Sequence, residues 1–151
     1  MGPSTATTTT LDRTPEECGR VRVDGPAAVW ALAHHPGSVR TARRITRTAL
    51  REWGVDEATT DHALLVVSEL VTNVVEHALP PVALHVERHT DDTVHIEVDD
   101  GGPATVASRG WPGREPEEGG RGGRIIDVLS SAHGSRPIAS GATYWADLTT
   151  V

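Results

Sequence analysis

Phenylalanine is missing from this chain of 151 residues, and aromatic residues of all kinds make up only 3% of it. A core therefore has to be assembled from Leu, Val, Ile and Ala. Four tryptophans, Trp30, Trp53, Trp111 and Trp145, are spread along the chain and read as packing residues. Cysteine is nearly absent too. The one copy, Cys18, excludes an internal disulfide and any multi-cysteine metal site, and suits a reducing interior. No apolar run approaches the roughly 20 residues of a membrane span. The N-terminus lacks the basic patch and apolar core of a signal peptide, so a soluble cytoplasmic protein is expected. Positive charge is in deficit as well. The formal net charge is -7, which makes a nucleic-acid backbone a poor partner for the surface as a whole. The length suits one domain with a real core and is short for two.

What is present falls into a clear order. Residues 1–24, Thr- and Pro-rich without periodicity, read as a disordered tail, and 25–151 as the folded domain. Ala27 to His34 fits a first strand. "PGSVRTARRITRTALREWG" reads as an amphipathic helix with Ser38 as its N-cap and Gly54 as its stop. Its apolar stripe runs Val39, Ala42, Ile45, Ala49 and Trp53. Arg40, Arg43, Arg44, Arg47 and Arg51 cover the other side as a solvated face. "DEATTDHALLVVSELVTNVVEHALPP" is a second helix, ended by Pro80 and Pro81. "VALHVERH" and "TVHIEVDD" alternate with period two and make an antiparallel hairpin. Its outer face carries His85, Glu87, His89, His95 and Glu97. Their spacing alone sets no tetrahedral zinc site, so a solvated sheet face is expected.

The run "GGPATVASRGWPGREPEEGGRGG" is long, aperiodic and dense in Gly and charge, as lids and binding loops are. "RIIDVLSSA" follows as a short third helix and "GATYWADLTTV" as a final strand. The expected fold is an α+β two-layer sandwich with three helices on one face of a mixed, mainly antiparallel sheet.

Three features carry chemistry. Glu69, Asn73 and His77 lie at i, i+4 and i+8 on a helix otherwise rich in Leu and Val, so one polar stripe runs along an apolar rod. Buried polar groups need partners. Strand parity turns Asp100 toward the helix layer with Val94, Ile96 and Val98, and Asp99 outward. "DGGP" follows, where backbone can approach a ligand closely, although a plain turn also explains it. Glycines in "GGRGGRIID" lead into a helix whose N-terminal amides could hold phosphate. Neither a P-loop nor a dinucleotide fingerprint is present, and the acidic chain argues against an RGG-type RNA segment. No hydrolase triad or HExxH can be assembled.

Together, "SELVTNVVEHA", "VDDGGP" and "GGRGGRIIDVLSSAHG…GATYWADL" resemble the N, G1 and G2 boxes and last strand of the GHKL (Bergerat-fold) ATPase superfamily. More narrowly they resemble small actinobacterial proteins related to anti-sigma-factor serine kinases, over roughly residues 26 to 149. The resemblance implies an ATP·Mg²⁺ pocket closed by an ATP lid. Asn73 would coordinate Mg²⁺ and Glu69 would be the general base. His77 would lie in the pocket or pack beside it. Asp100 would accept from the adenine amine, parity favouring it over Asp99, with Gly102 shaping the adenine side and Thr143 behind Asp100. Gly120, Gly122 and Gly123 would belong to the lid and helix start, with Arg121 as a phosphate contact. Gly123 stands where a leucine is usual, and Ala142 where lysine is common. The implied function is a serine/threonine kinase acting on an anti-anti-sigma (STAS-type) protein, a sequesterer of a sigma factor, or both. The related proteins are often homodimers. The alternative is a nucleotide-responsive binding module without useful kinase activity. A complete sensor histidine kinase does not fit the length.

Overall fold

The computed structural model describes residues 25–89, 92–104 and 124–150. The expected disordered tail, the body of the expected lid, and Gly120, Arg121, Gly122, Gly123 and Trp111 lie outside the described residues. Strand β1 (Ala27–Leu32) leads into α1 (Ser38–Glu52) and α2 (Glu57–His77). The hairpin strands β2 (Val82–Arg88) and β3 (Thr93–Asp99) follow. A short helix, α3, spans 124–129, and β4 (Ala132–Ile138) and β5 (Gly141–Thr149) complete the order. The sheet runs β1-β2-β3-β5-β4, and each of its four described pairings is antiparallel.

Period-two alternation builds the core. Val82, Leu84 and Val86 from β2, Val94, Ile96 and Val98 from β3, and Ala146 and Leu148 from β5 all point at the helix layer and are buried. Helix α2 meets them with Val66, Val67, Leu70, Val71 and Val74, while α1 contributes Ala42 and Leu50. Trp30 and Trp53 pack against this cluster at its margin, so neither phenylalanine nor a large aromatic centre is needed. Among the described residues no helix is long and apolar enough to cross a membrane.

Helix boundaries follow from local chemistry. Asp56 caps α2: its Oδ2 accepts from the Thr59 amide at 2.8 Å, and its Oδ1 from the Thr59 hydroxyl at 2.8 Å. Gly54, at φ +79°, provides the left-handed residue that lets the chain turn between the helices. Ser38 is not the N-cap of α1. That position belongs to Gly37, and Ser38 lies inside the first turn with its hydroxyl donating to the Ala33 carbonyl at 2.6 Å. The arginine face of α1 is divided. Arg43 reaches across to α2, donating to Ser68 Oγ at 2.7 Å, and Arg51 pairs with Glu57, while Arg40 and Arg44 are exposed.

The outer sheet face departs most from expectation. It is not solvated: Glu87, His89, His95 and Glu97 are between 2% and 7% exposed. They tolerate burial because they pair with one another. His95 donates to Asp147 and to Glu97 (2.8 Å), His89 meets Glu87 at 3.2 Å, and Arg136 reaches Glu97 at 3.4 Å. Rings of His89, His95 and Trp145 stack at centroid spacings of 5.9 Å. Burial by itself lowers the pKa of His95. The two carboxylates outweigh it and raise the imidazole from 6.5 to about 9.

Candidate functional site

The stripe on α2 is where the sequence places it, but it is not sealed into the core. Glu69, Asn73 and His77 are each half-buried, between the buried rows that contain Leu70, Val71 and Val74. Their partial exposure removes the need for buried partners and leaves the three side chains at a surface that a ligand can reach. The end of α2 is tied to the turn after β3 through backbone groups. Leu79 N–H donates to Gly102 O (2.8 Å), Gly101 N–H to Leu79 O (2.7 Å), and Ala104 N–H to His77 O (3.1 Å). Ala78 and Pro103 add an isolated bridge, and His34 Nε2 meets the Ala78 carbonyl at 2.7 Å. Asn73 is one helical turn, about 6 Å, back from His77 along the axis. The helix stripe and the turn are therefore parts of one corner of the molecule.

Asp100 sits in that corner. It is 2% exposed, and its Oδ1 accepts from Gly102 N–H (2.8 Å) and from Ala142 N–H (3.0 Å). Two amide donors compensate a buried carboxylate and fix its orientation. Tyr144, paired with Val98 across the sheet, donates its hydroxyl to the same carboxylate. Burial first, then the charge and hydrogen bond of Asp100, hold that phenol above its ordinary pKa of 10. Asp99 has the opposite environment. It is half-buried on the outer face, with Oδ2 at 2.8 Å from His85 Nε2 and Oδ1 accepting from the Thr143 hydroxyl at 2.5 Å. The parity argument thus separates the two aspartates correctly.

Thr143, expected behind Asp100, is set against Asp99 instead, because Asp99 and Thr143 are register partners and share a face. Besides Gly102, the residues that hold Asp100 are Ala142, through its amide, and Tyr144. Neither was marked as a site residue from sequence. Tyr144 was findable, because it alternates with Ala146 and Leu148 on the helix-facing side of β5. Ala142 was not, because a backbone donor carries no side-chain signature.

Glycines explain how closely this corner is drawn. A Cβ on Gly101 would lie 2.0 Å from Pro80 O, and one on Gly141 would lie 2.5 Å from Asp100 Oδ1 and 2.4 Å from Gly102 N. Gly102 differs. Its φ of +109° demands glycine, yet a Cβ there would meet no described residue within 4 Å. Among the described residues the turn is thus tight on one side and open on the other, beside Asp100.

Known proteins agree with this architecture. A family model described as "Histidine kinase-like ATPase domain" matches residues 32–137, more than half of the chain. A solved structure, that of the RsbU and RsbW domains of Rv1364c from Mycobacterium tuberculosis, is similar with a TM-score of 0.62 and 22% sequence identity. The likeness covers 83% of this chain and 32% of that one, so the chain spans about a third of its length. No curated protein matches. With the match running from the end of β1 into β4 and the polar helix joined to the Asp100 turn, the chain belongs to the histidine kinase-like ATPase domain family.

Proposed function

We propose that the chain is an ATP-binding regulatory protein that transfers the γ-phosphoryl group of ATP to a serine of an anti-anti-sigma-type (STAS) antagonist, sequesters a sigma factor, or does both. The observation that carries this reading is Asp100. It is a buried carboxylate held by two backbone amides beside an open glycine turn, which suits it to accept a hydrogen bond from an adenine amine. Gly102, with no described residue within 4 Å of where its side chain would be, gives the base room to approach.

Asn73 would hold Mg²⁺. Its amide oxygen is a hard donor of the kind this ion takes, and it is half-buried on the stripe with Glu69. When bound, the ion would neutralise charge on the phosphates. Glu69, one turn earlier, would take the proton from the seryl hydroxyl as its oxygen bonds to the γ-phosphorus and ADP departs. His77, at the helix end tied to the turn, would orient the corner through its backbone carbonyl. Gly120, Arg121, Gly122 and Gly123 would bear on the phosphates. Thr143 would act at one remove, by fixing Asp99 next to Asp100.

The RsbW domain named in the solved neighbour motivates the choice of an anti-sigma partner class. Phosphotransfer is tested with Glu69→Ala. The variant is expected to bind ATP within about threefold of wild type and to lose phosphotransfer to a STAS-type substrate by about 10²-fold or more. Equal transfer by wild type and variant would remove Glu69 from the reaction. Wild-type binding without transfer would favour a nucleotide-responsive binding module.

A further inference from the structure

The outer face of the sheet, opposite the helices and the Asp100 corner, gathers carboxylates and imidazoles in one layer. Four carboxylates meet there: Glu87, Glu97, Asp99 and Asp147. Arg136, beside Glu97, supplies one positive charge. His95, donating through both ring nitrogens to Asp147 and Glu97, supplies a second as imidazolium. Within this layer Glu87 and Glu97 are only 2% exposed. Charge in such a place persists only where partners hold it.

The geometry points to a divalent transition-metal site formed by His85, Glu97 and Asp99. Their ligating atoms all lie within 4.8 Å of one another, with His85 Nε2 and Asp99 Oδ2 already 2.8 Å apart. A tetrahedral ion with bonds of about 2.1 Å keeps its donors roughly 3.4 Å apart. Small side-chain rotations bring all three within reach. One imidazole and two carboxylates form an N/O donor set that suits Zn²⁺ or Mn²⁺, with water completing the sphere. The outer layer needed for such a site is in place. Thr143 holds the other oxygen of Asp99, while His95 and Arg136 hold Glu97. His85 and Asp99 are about one-fifth to one-quarter exposed, which leaves the ion a route from solvent. Across the hairpin, His85 and Glu97 are direct register partners and Asp99 is two residues beyond Glu97, so all three share the face by strand geometry. The site is tested apart from the nucleotide reading, since its ligands face the side of the sheet away from Asp100, although Asp99 adjoins Asp100 in the chain.

The test uses the full chain, stripped with EDTA and kept free of nucleotide, and titrated with Zn²⁺ and in parallel with Mn²⁺. Thermal melts and calorimetry are compared for wild type, Asp99→Asn and His85→Gln, two substitutions of nearly conserved shape. At an ion concentration a hundredfold above its dissociation constant, wild type is expected to melt about 8 °C higher than the stripped protein. Both variants, folded by circular dichroism, are expected to bind at least tenfold more weakly. Absence of heat and of any melting shift up to millimolar ion overturns the site. An equal shift in wild type and both variants overturns it as well, since the ion then binds elsewhere.

Discussion

Two adjacent aspartates at the end of β3 show how a single step along a strand changes chemistry. Asp100 turns inward to amide donors and Asp99 outward to an imidazole and a hydroxyl. Asp100→Asn keeps an oxygen for the Gly102 and Ala142 amides but replaces an acceptor with a donor amide beside the open turn. Its melting temperature is expected to stay within about 3 °C of wild type, since one side-chain acceptor survives. Its affinity for ATP, read by calorimetry, is expected to fall tenfold or more, about 1.4 kcal/mol. His95 belongs to a different kind of argument. Removing it by His95→Ala leaves Glu97 and Asp147 facing each other without their shared cation. A loss of about 3–5 kcal/mol is expected in urea denaturation, as for other broken buried pairs. A loss under 1 kcal/mol would mean that the outer-face network is weakly held.

At the scale of elements, each helix and strand reports how plainly its residues declare it. Helix α2 is legible because it combines an acidic cap, a long apolar periodicity and a double-proline stop. Asp56→Ala, which removes both contacts to Thr59, is expected to cost about 1 kcal/mol by chemical denaturation, with no change in nucleotide affinity. The hairpin is equally legible, since strict alternation in "VALHVERH" and "TVHIEVDD" fixes both strands and their faces. Strand β4 was hidden. "AHGSRPI" contains a glycine and a proline and little β-branching, and nothing in it alternates. It survives as a strand because it lies at the sheet edge, where Pro137 gives up no ladder bond on its solvent side. Gly134 has a second reason: a side chain there would crowd the Trp145 ring at 3.1 Å. Likewise the buried histidine–carboxylate face was invisible from alternation. Period two says which residues share a side of the sheet, not whether that side meets water.

Across the whole molecule, one sheet separates two polar sites. The helix side ends in the corner where Asp100, the Gly101–Gly102 turn and the α2 stripe converge, and the outer side carries the His–carboxylate layer. The apolar core between them is built almost without aromatic residues, from branched aliphatic side chains of α2, β2, β3 and β5. That core makes α2 and β3 one rigid unit and so fixes the stripe relative to Asp100. Of the candidate site, Asp100 and the α2 stripe could be read from parity and helical spacing. The dependence of Asp100 on Ala142 and Tyr144 could not, because it arises from β3 and β5 pairing across more than forty residues of sequence.

The most direct test of the central claim is calorimetric titration of the full chain with ATP, with and without Mg²⁺, for wild type and Asn73→Ala. The account predicts micromolar binding by wild type that requires Mg²⁺, weakened at least tenfold in the variant. No heat of binding up to millimolar ATP, or Mg²⁺-dependent binding of equal strength in both proteins, would contradict it.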